Sequence, residues 1–102
     1  MAENLTIVDE TPAVVTVTAR GVEVPVRTDA VQNALVLVYL EVIEDDTEDT
    51  MARMGAMHKL MRALIGPGYV RYIEQAATDG VLSFEDYFQF LTEILGALEA
   101  KN

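Results

Sequence analysis

The chain has 102 residues, of which 17 are acidic and seven basic, giving a formal net charge of −10, and it contains no cysteine. This charge argues against binding to nucleic-acid phosphates or to an anionic membrane surface, and the lack of cysteine excludes disulfides and thiolate chemistry. Because 51% of the residues are hydrophobic, the chain is not a solvated acidic tail, and its length allows one small domain.

The N-terminal residues 1–12 contain acidic but no basic side chains. This composition predicts a disordered N-terminus without the basic and apolar regions of a secretion signal. No apolar run in the sequence approaches the ~20 residues of a membrane span. We therefore expect a single domain over residues 13–102.

A β-hairpin is predicted over residues 14–27. Two alternating segments are separated by Arg20-Gly21, which has the length of a two-residue hairpin turn. Placing Ala19 opposite Val22 brings the inward valines of both segments onto one face, and they are Val15, Val17, Val24 and Val26. A two-stranded ribbon alone is marginal in water, so this face must lie on a helix or join another chain.

The next segment predicts a helix over residues 30–45, with Asp29 and Gln32 as its capping pair. Its valine content also allows a strand, but its length favours a helix. Apolar residues lie on most sides of this helix. One stripe contains Val31, Leu35, Val38 and Val42, and other positions hold Val36, Tyr39, Leu40 and Ile43. Such a helix in a small domain is either the central element or half of an interface.

An acidic hinge is predicted over residues 44–50, within the half of the chain (positions 1–50) that holds eleven of the acidic residues and only two of the basic ones. Three more helices are expected after it. They are 51–65, capped by Thr50; 67–78, with Pro67 in its first turn and Asp79-Gly80 at its end; and 84–100, capped by Ser83 with Asp86. The predicted fold is mainly α (α+β), an N-terminal β-hairpin followed by a small bundle of about four helices.

Catalytic and metal-binding groups are scarce. His58 is the single histidine and Ser83 the single serine, and a partly exposed polar position and a helix cap account for them. Residues 79–86 are similar to the second half of a calcium-binding EF-hand loop, but Gln75 and Ala77 stand where early acidic ligands are needed. We expect no enzyme activity, no cofactor and no metal site.

Four methionines fall on one side of the predicted helix 51–65, and they are Met51, Met54, Met57 and Met61. Adaptable thioethers suit a surface that binds variable apolar clients, although a stripe at helical spacing is more often the core face of a helix. Together with the other apolar stripes, they exceed what a monomer of this length readily buries. A partner surface is therefore expected.

The order of these features resembles the small tail assembly chaperones of long-tailed bacteriophages. The resemblance covers residues 14–100 and rests on the hairpin around Arg20-Gly21, on Leu64-Ile65-Gly66-Pro67, and on Asp79-Gly80-Val81-Leu82-Ser83 before the last helix. It implies a non-enzymatic chaperone that binds and solubilises the tape measure protein and helps to recruit tail tube subunits. It further implies action in the cytoplasm of the infected bacterium and absence from the mature virion.

From the residues themselves, we expect Tyr39, Ile43, Met54, Met57 and Met61 to contribute to client-binding or self-association surfaces, and a homo-oligomer is expected. Two other functions remain open. One is an acidic adaptor or inhibitor that docks on a basic partner, and the other is a small structural subunit of a phage particle held by pairing at the hairpin edge.

Overall fold

The computed structural model of the protein describes residues 13–101, so the predicted disorder of residues 1–12 lies outside the described residues. The described part begins with a hairpin of two strands, β1 (Val14–Ala19) and β2 (Val22–Arg27). Four α-helices follow, and they are α1 (Ala34–Glu44), α2 (Thr50–Ile65), α3 (Val70–Ala76) and α4 (Phe84–Lys101). This architecture confirms the predicted mainly α fold, with an N-terminal hairpin and a small helical bundle.

The hairpin has the predicted register. Val17 lies opposite Val24 and Ala19 opposite Val22 in the antiparallel pair. At the turn, Arg20 and Gly21 have φ values of 51° and 76°, which is the left-handed pair of a type I′ turn. The inward valines pack against α2, α3 and α4, with Val17, Val24 and Val26 buried and Val15 partly buried, whereas the outward side chains are mostly exposed. The expectation that the valine face lies on helices is therefore confirmed.

The start of the first helix differs from the prediction. Thr28–Gln32 forms a 3₁₀ turn, and α1 begins only at Ala34. The Asp29 carboxylate does not cap the helix but pairs with the Arg27 guanidinium at 3.4 Å. The cap is supplied by Asn33, whose side-chain oxygen accepts a hydrogen bond from the Leu35 N–H at 3.0 Å. Thus the predicted capping pair at Asp29 and Gln32 is wrong.

The acidic hinge joins α1 to α2 through local hydrogen bonds. Asp45 accepts hydrogen bonds from the Thr47 hydroxyl and backbone N–H, and these bonds lower the pKa of its carboxyl below the usual range. The cap of α2 is Asp49, which accepts from the Ala52 N–H at 2.9 Å, one residue before the predicted Thr50. From α2, Arg53 donates to the Ile43 carbonyl at 2.8 Å and thereby satisfies the C-terminal end of α1.

The third helix is shorter than predicted. A 3₁₀ turn, Pro67–Tyr69, leads into α3, and the helix ends at Ala76 instead of residue 78. Thr78 and Val81 then form a β-bridge, and the turn between them is made by Asp79 and Gly80 with φ values of 52° and 77°. Gly80 therefore serves a two-residue turn, and the predicted glycine helix stop is wrong.

The last helix begins as predicted. The Asp86 N–H donates to the Ser83 hydroxyl oxygen at 3.1 Å, which confirms the cap before α4. The inner face of α4 joins α2 and the hairpin in one core. No polar or charged residue within the described range 13–101 is fully buried.

Arg20 fastens the hairpin tip to two helices. Its backbone N–H donates to the Glu93 carboxylate on α4 at 2.7 Å. Its Nε donates to the Ala76 carbonyl at the end of α3 at 2.9 Å, and its guanidinium pairs with Asp86 on α4 at 3.3 Å. The Arg20 side chain thus satisfies a carbonyl at the C-terminal end of α3 and links the hairpin tip to both α3 and α4.

Replacing Arg20 with alanine should lower the free energy of unfolding by about 1–2 kcal/mol, because the charged hydrogen bonds to Ala76 and Asp86 are lost. Arg27→Ala is the matched control on the same hairpin, since the ion pair of Arg27 among residues 13–101 is an exposed one with Asp29, and it should change stability by less than about 0.5 kcal/mol. Urea unfolding measures both values. Equal losses in the two variants would contradict the assigned role of Arg20.

Candidate interaction surface

Three of the five residues predicted to bind a partner lie inside the protein. Met57 and Met61 are 0% exposed and Ile43 is 2% exposed. Met57 and Met61 are interior because α2 is the central helix, packed on α1, α4 and β2, and these methionines lie on the face that it uses for this packing. Ile43 is interior because α1 packs on α2. The alternative of a core face therefore applies to these residues, and their prediction as surface residues is wrong. Substituting them would disrupt the core instead of reporting on partner binding.

The other two predicted residues lie at the boundary of the core. Tyr39 on α1 and Met54 on α2 are half-buried and pack against core residues. Met51, one turn before Met54, is 77% exposed. The methionine stripe thus runs from solvent into the core along α2. A contribution of Tyr39 and Met54 to partner binding stays a prediction.

Half of the large apolar side chains that are exposed within residues 13–101 lie on α1 and the 3₁₀ turn before it. Exposure reaches 54% at Leu35, 63% at Leu37, 50% at Val38 and 44% at Val31, whereas Val36 on the inner side is buried. Helix α1 packs chiefly on α2, which covers only one side of it. Among residues 13–101, no helix is long and apolar enough to cross a membrane. We define Val31, Leu35, Leu37 and Val38 as the α1 apolar surface.

A groove lies between α1 and α4, which flank α2 with few close backbone approaches to each other. It consists of two clefts of about 230 and 190 Å³, which share Leu40, Leu95 and Glu99. Leu60 of α2 lies beneath the first cleft, and Leu37 of α1 lines the second. We call this feature the α1–α4 groove.

The charges at the groove are of one sign. Glu44 at the end of α1 and Glu99 near the end of α4 are the charged side chains that line the two clefts in the described part of the chain. The other residues that line the clefts are almost all apolar, and Val31 and Leu95 are among them. The groove therefore combines an apolar floor with an acidic rim.

The groove is not visible in the spacing of apolar residues along the sequence. On α4, Leu95 packs partly against the core while its remaining surface faces the groove. The stripe of Val31, Leu35 and Val38 was visible in the sequence, but Leu37 lies outside it. Helical periodicity identifies apolar faces without showing which of them finds a partner within the fold.

His58 has a structural partner. Its Nδ1 lies 2.9 Å from the Tyr87 hydroxyl, and the two rings are 5.4 Å apart. Burial, with a smaller contribution from Tyr69, raises the pKa of the Tyr87 hydroxyl well above its usual value and keeps it neutral. In residues 13–101, no three histidine, aspartate or glutamate side chains gather closely enough to hold a metal ion.

Because burial raises the pKa of the Tyr87 hydroxyl, we expect the free energy of unfolding to depend on pH in the alkaline range. Because its pKa is raised in the folded state, the folded protein retains this proton above about pH 10, where an unfolded tyrosine loses it, so stability falls as the pH rises. Tyr87→Phe should reduce the slope of unfolding free energy against pH above about pH 10. Tyr72→Phe controls for the loss of a hydroxyl, and an unchanged slope in Tyr87→Phe would contradict the prediction.

In comparisons with known proteins, no protein-family model, no curated protein and no solved structure matches this chain. The α1 apolar surface and the α1–α4 groove are therefore interpreted from their own chemistry. The resemblance to the tail assembly chaperones stays a prediction from the sequence.

Proposed function

We propose that the protein is a non-enzymatic tail assembly chaperone that binds and solubilises a phage tape measure protein and promotes assembly of the tail tube around it. The observation that carries the proposal is the α1 apolar surface, exposed on a chain with a net charge of −10. Large exposed apolar patches on soluble domains mark contact sites for partners. The sequence resemblance supplies the identity of the client.

The size of the α1 apolar surface favours weak and repeated binding. Burying the exposed half of each of its four side chains would contribute about 1 kcal/mol per side chain, or about 4 kcal/mol together. That total corresponds to a dissociation constant of about 1 mM before any ordering cost. One copy would therefore hold a client only briefly, and stable holding would need many copies along a long client or within an oligomer.

The acidic hinge would keep such an assembly soluble. Residues 44–50, which run from the last residue of α1 to the first residue of α2, are all exposed. Carboxylates beside an apolar contact surface remain in water when that surface is covered, and their repulsion opposes aggregation of coated clients. In this proposal the protein acts in the cytoplasm of the infected bacterium as a homo-oligomer, with tape measure and tail tube proteins as partners, and it is absent from the mature virion.

Co-expression with a phage tape measure protein, the client named by the proposal, tests it. The wild-type chain should keep that protein in the soluble fraction, whereas Leu35→Glu/Val38→Glu should leave most of it in the pellet. Val70→Glu/Val81→Glu is the matched control, because these valines are 48% and 65% exposed and lie outside the α1 apolar surface. Circular dichroism of both variants is the check that they remain folded.

A client that stays insoluble with the wild-type chain, or that is held equally by Leu35→Glu/Val38→Glu, would overturn the proposal. Holding that is lost on adding salt would support the acidic adaptor instead, because apolar contacts tolerate salt. Detection of the chain by mass spectrometry in purified virions would support the structural subunit.

A further inference from the structure

We infer that the α1–α4 groove binds an amphipathic helix whose apolar stripe is flanked by lysine or arginine. The inference rests on the proposed function in one respect, since the bound helix is taken to be a segment of the client. It adds a location, a secondary structure and a charge pattern for the binding partner. Each of these follows from the groove itself.

The shape of the groove fits a helix. Val36 and Leu37 of α1 line one cleft, Ile43 and Glu44 line the other, and Leu40 lines both, so the clefts follow one another along α1. Apolar side chains one turn apart on a helix have Cβ atoms about 5–6 Å apart and point in the same direction. Two consecutive anchors of an amphipathic helix can therefore occupy the two clefts, as in other helix-in-groove complexes.

The charge of the rim selects the flanks of that helix. Glu44 borders one cleft and Glu99 borders both, and no basic side chain of the described residues lines either cleft. A lysine or arginine beside the apolar stripe would face these carboxylates, whereas a glutamate would be repelled. Charge complementarity therefore favours a basic-flanked helix over a neutral or acidic one.

The acidic rim also disfavours occupants from the chain itself. Residues 1–12 contain acidic and no basic side chains, and α1 of a second copy would bring Glu41 and Glu44 against the acidic rim. Helix α2 of a second copy carries exposed Lys59 and Arg62, but its exposed face lacks an apolar stripe. The occupant is therefore a separate protein segment that has both features.

A synthetic peptide tests the inference directly. The probe is a fluorescent helix of about 18 residues, or about five turns, with a leucine stripe flanked by lysines. Its controls are the same sequence with glutamates for lysines and a scrambled sequence of the same composition. Fluorescence anisotropy should show binding of the lysine-flanked helix, at least about ten-fold weaker binding of the glutamate version, and no saturation with the scramble.

Two pairs of variants localise the binding. Glu44→Gln/Glu99→Gln should weaken binding of the lysine-flanked peptide about five-fold, and Glu41→Gln/Glu74→Gln, which removes the same charge outside the groove, should leave it unchanged. Leu37→Ala should weaken binding because Leu37 lines the groove. Leu35→Ala is its control, since Leu35 is on the same helix and similarly exposed but lies outside the clefts.

The outcomes separate this inference from the proposed function. Equal binding of the lysine-flanked and glutamate-flanked peptides, or equal effects within either pair of variants, would overturn the groove inference. If client holding still depended on Leu35 and Val38, the proposed function would stand without the groove. Conversely, selective peptide binding without any holding of the tape measure protein would leave the groove as a helix-binding site and overturn the proposed client.

Discussion

Burial of the hairpin's valine face is the interaction on which the rest of the structure depends. A two-stranded ribbon is marginal by itself, and here its inner face becomes the surface on which α2, α3 and α4 assemble. Arg20 links the hairpin tip to this assembly through hydrogen bonds to Glu93, Ala76 and Asp86. The hairpin and these three helices therefore bury one another's apolar faces, and α1 lies outside this group.

The exposed character of α1 follows from that geometry. Within residues 13–101, the extensive contact of α1 is with α2, and Arg53 and the short hinge hold the two helices together at one end. The second side of α1 and the facing edge of α4 then remain as apolar surfaces bordered by Glu44 and Glu99. An acidic chain with an uncovered apolar helix has the physical properties of a protein that holds apolar clients in solution.

Features that depend on residues close together in the sequence could be predicted from sequence patterns. The register of Val17 with Val24 and the Ser83 cap depend on neighbouring residues and were correct. The start of α1 was wrong because Asp29 and Asn33 are both good caps and the ion pair with Arg27 occupies Asp29. The groove could not be predicted, because its two walls are at least 44 positions apart in sequence and the packing of α2 between them brings the walls together.

Hydrogen exchange of the backbone amides, with and without the tape measure protein, tests the central claim most directly. The account predicts that the client increases protection in α1 and in the C-terminal half of α4, because these segments carry the apolar surface and the groove. The outward face of the hairpin and the turn at Asp79-Gly80 should keep their exchange rates. Protection confined to those two regions, or no change in α1, would contradict the account.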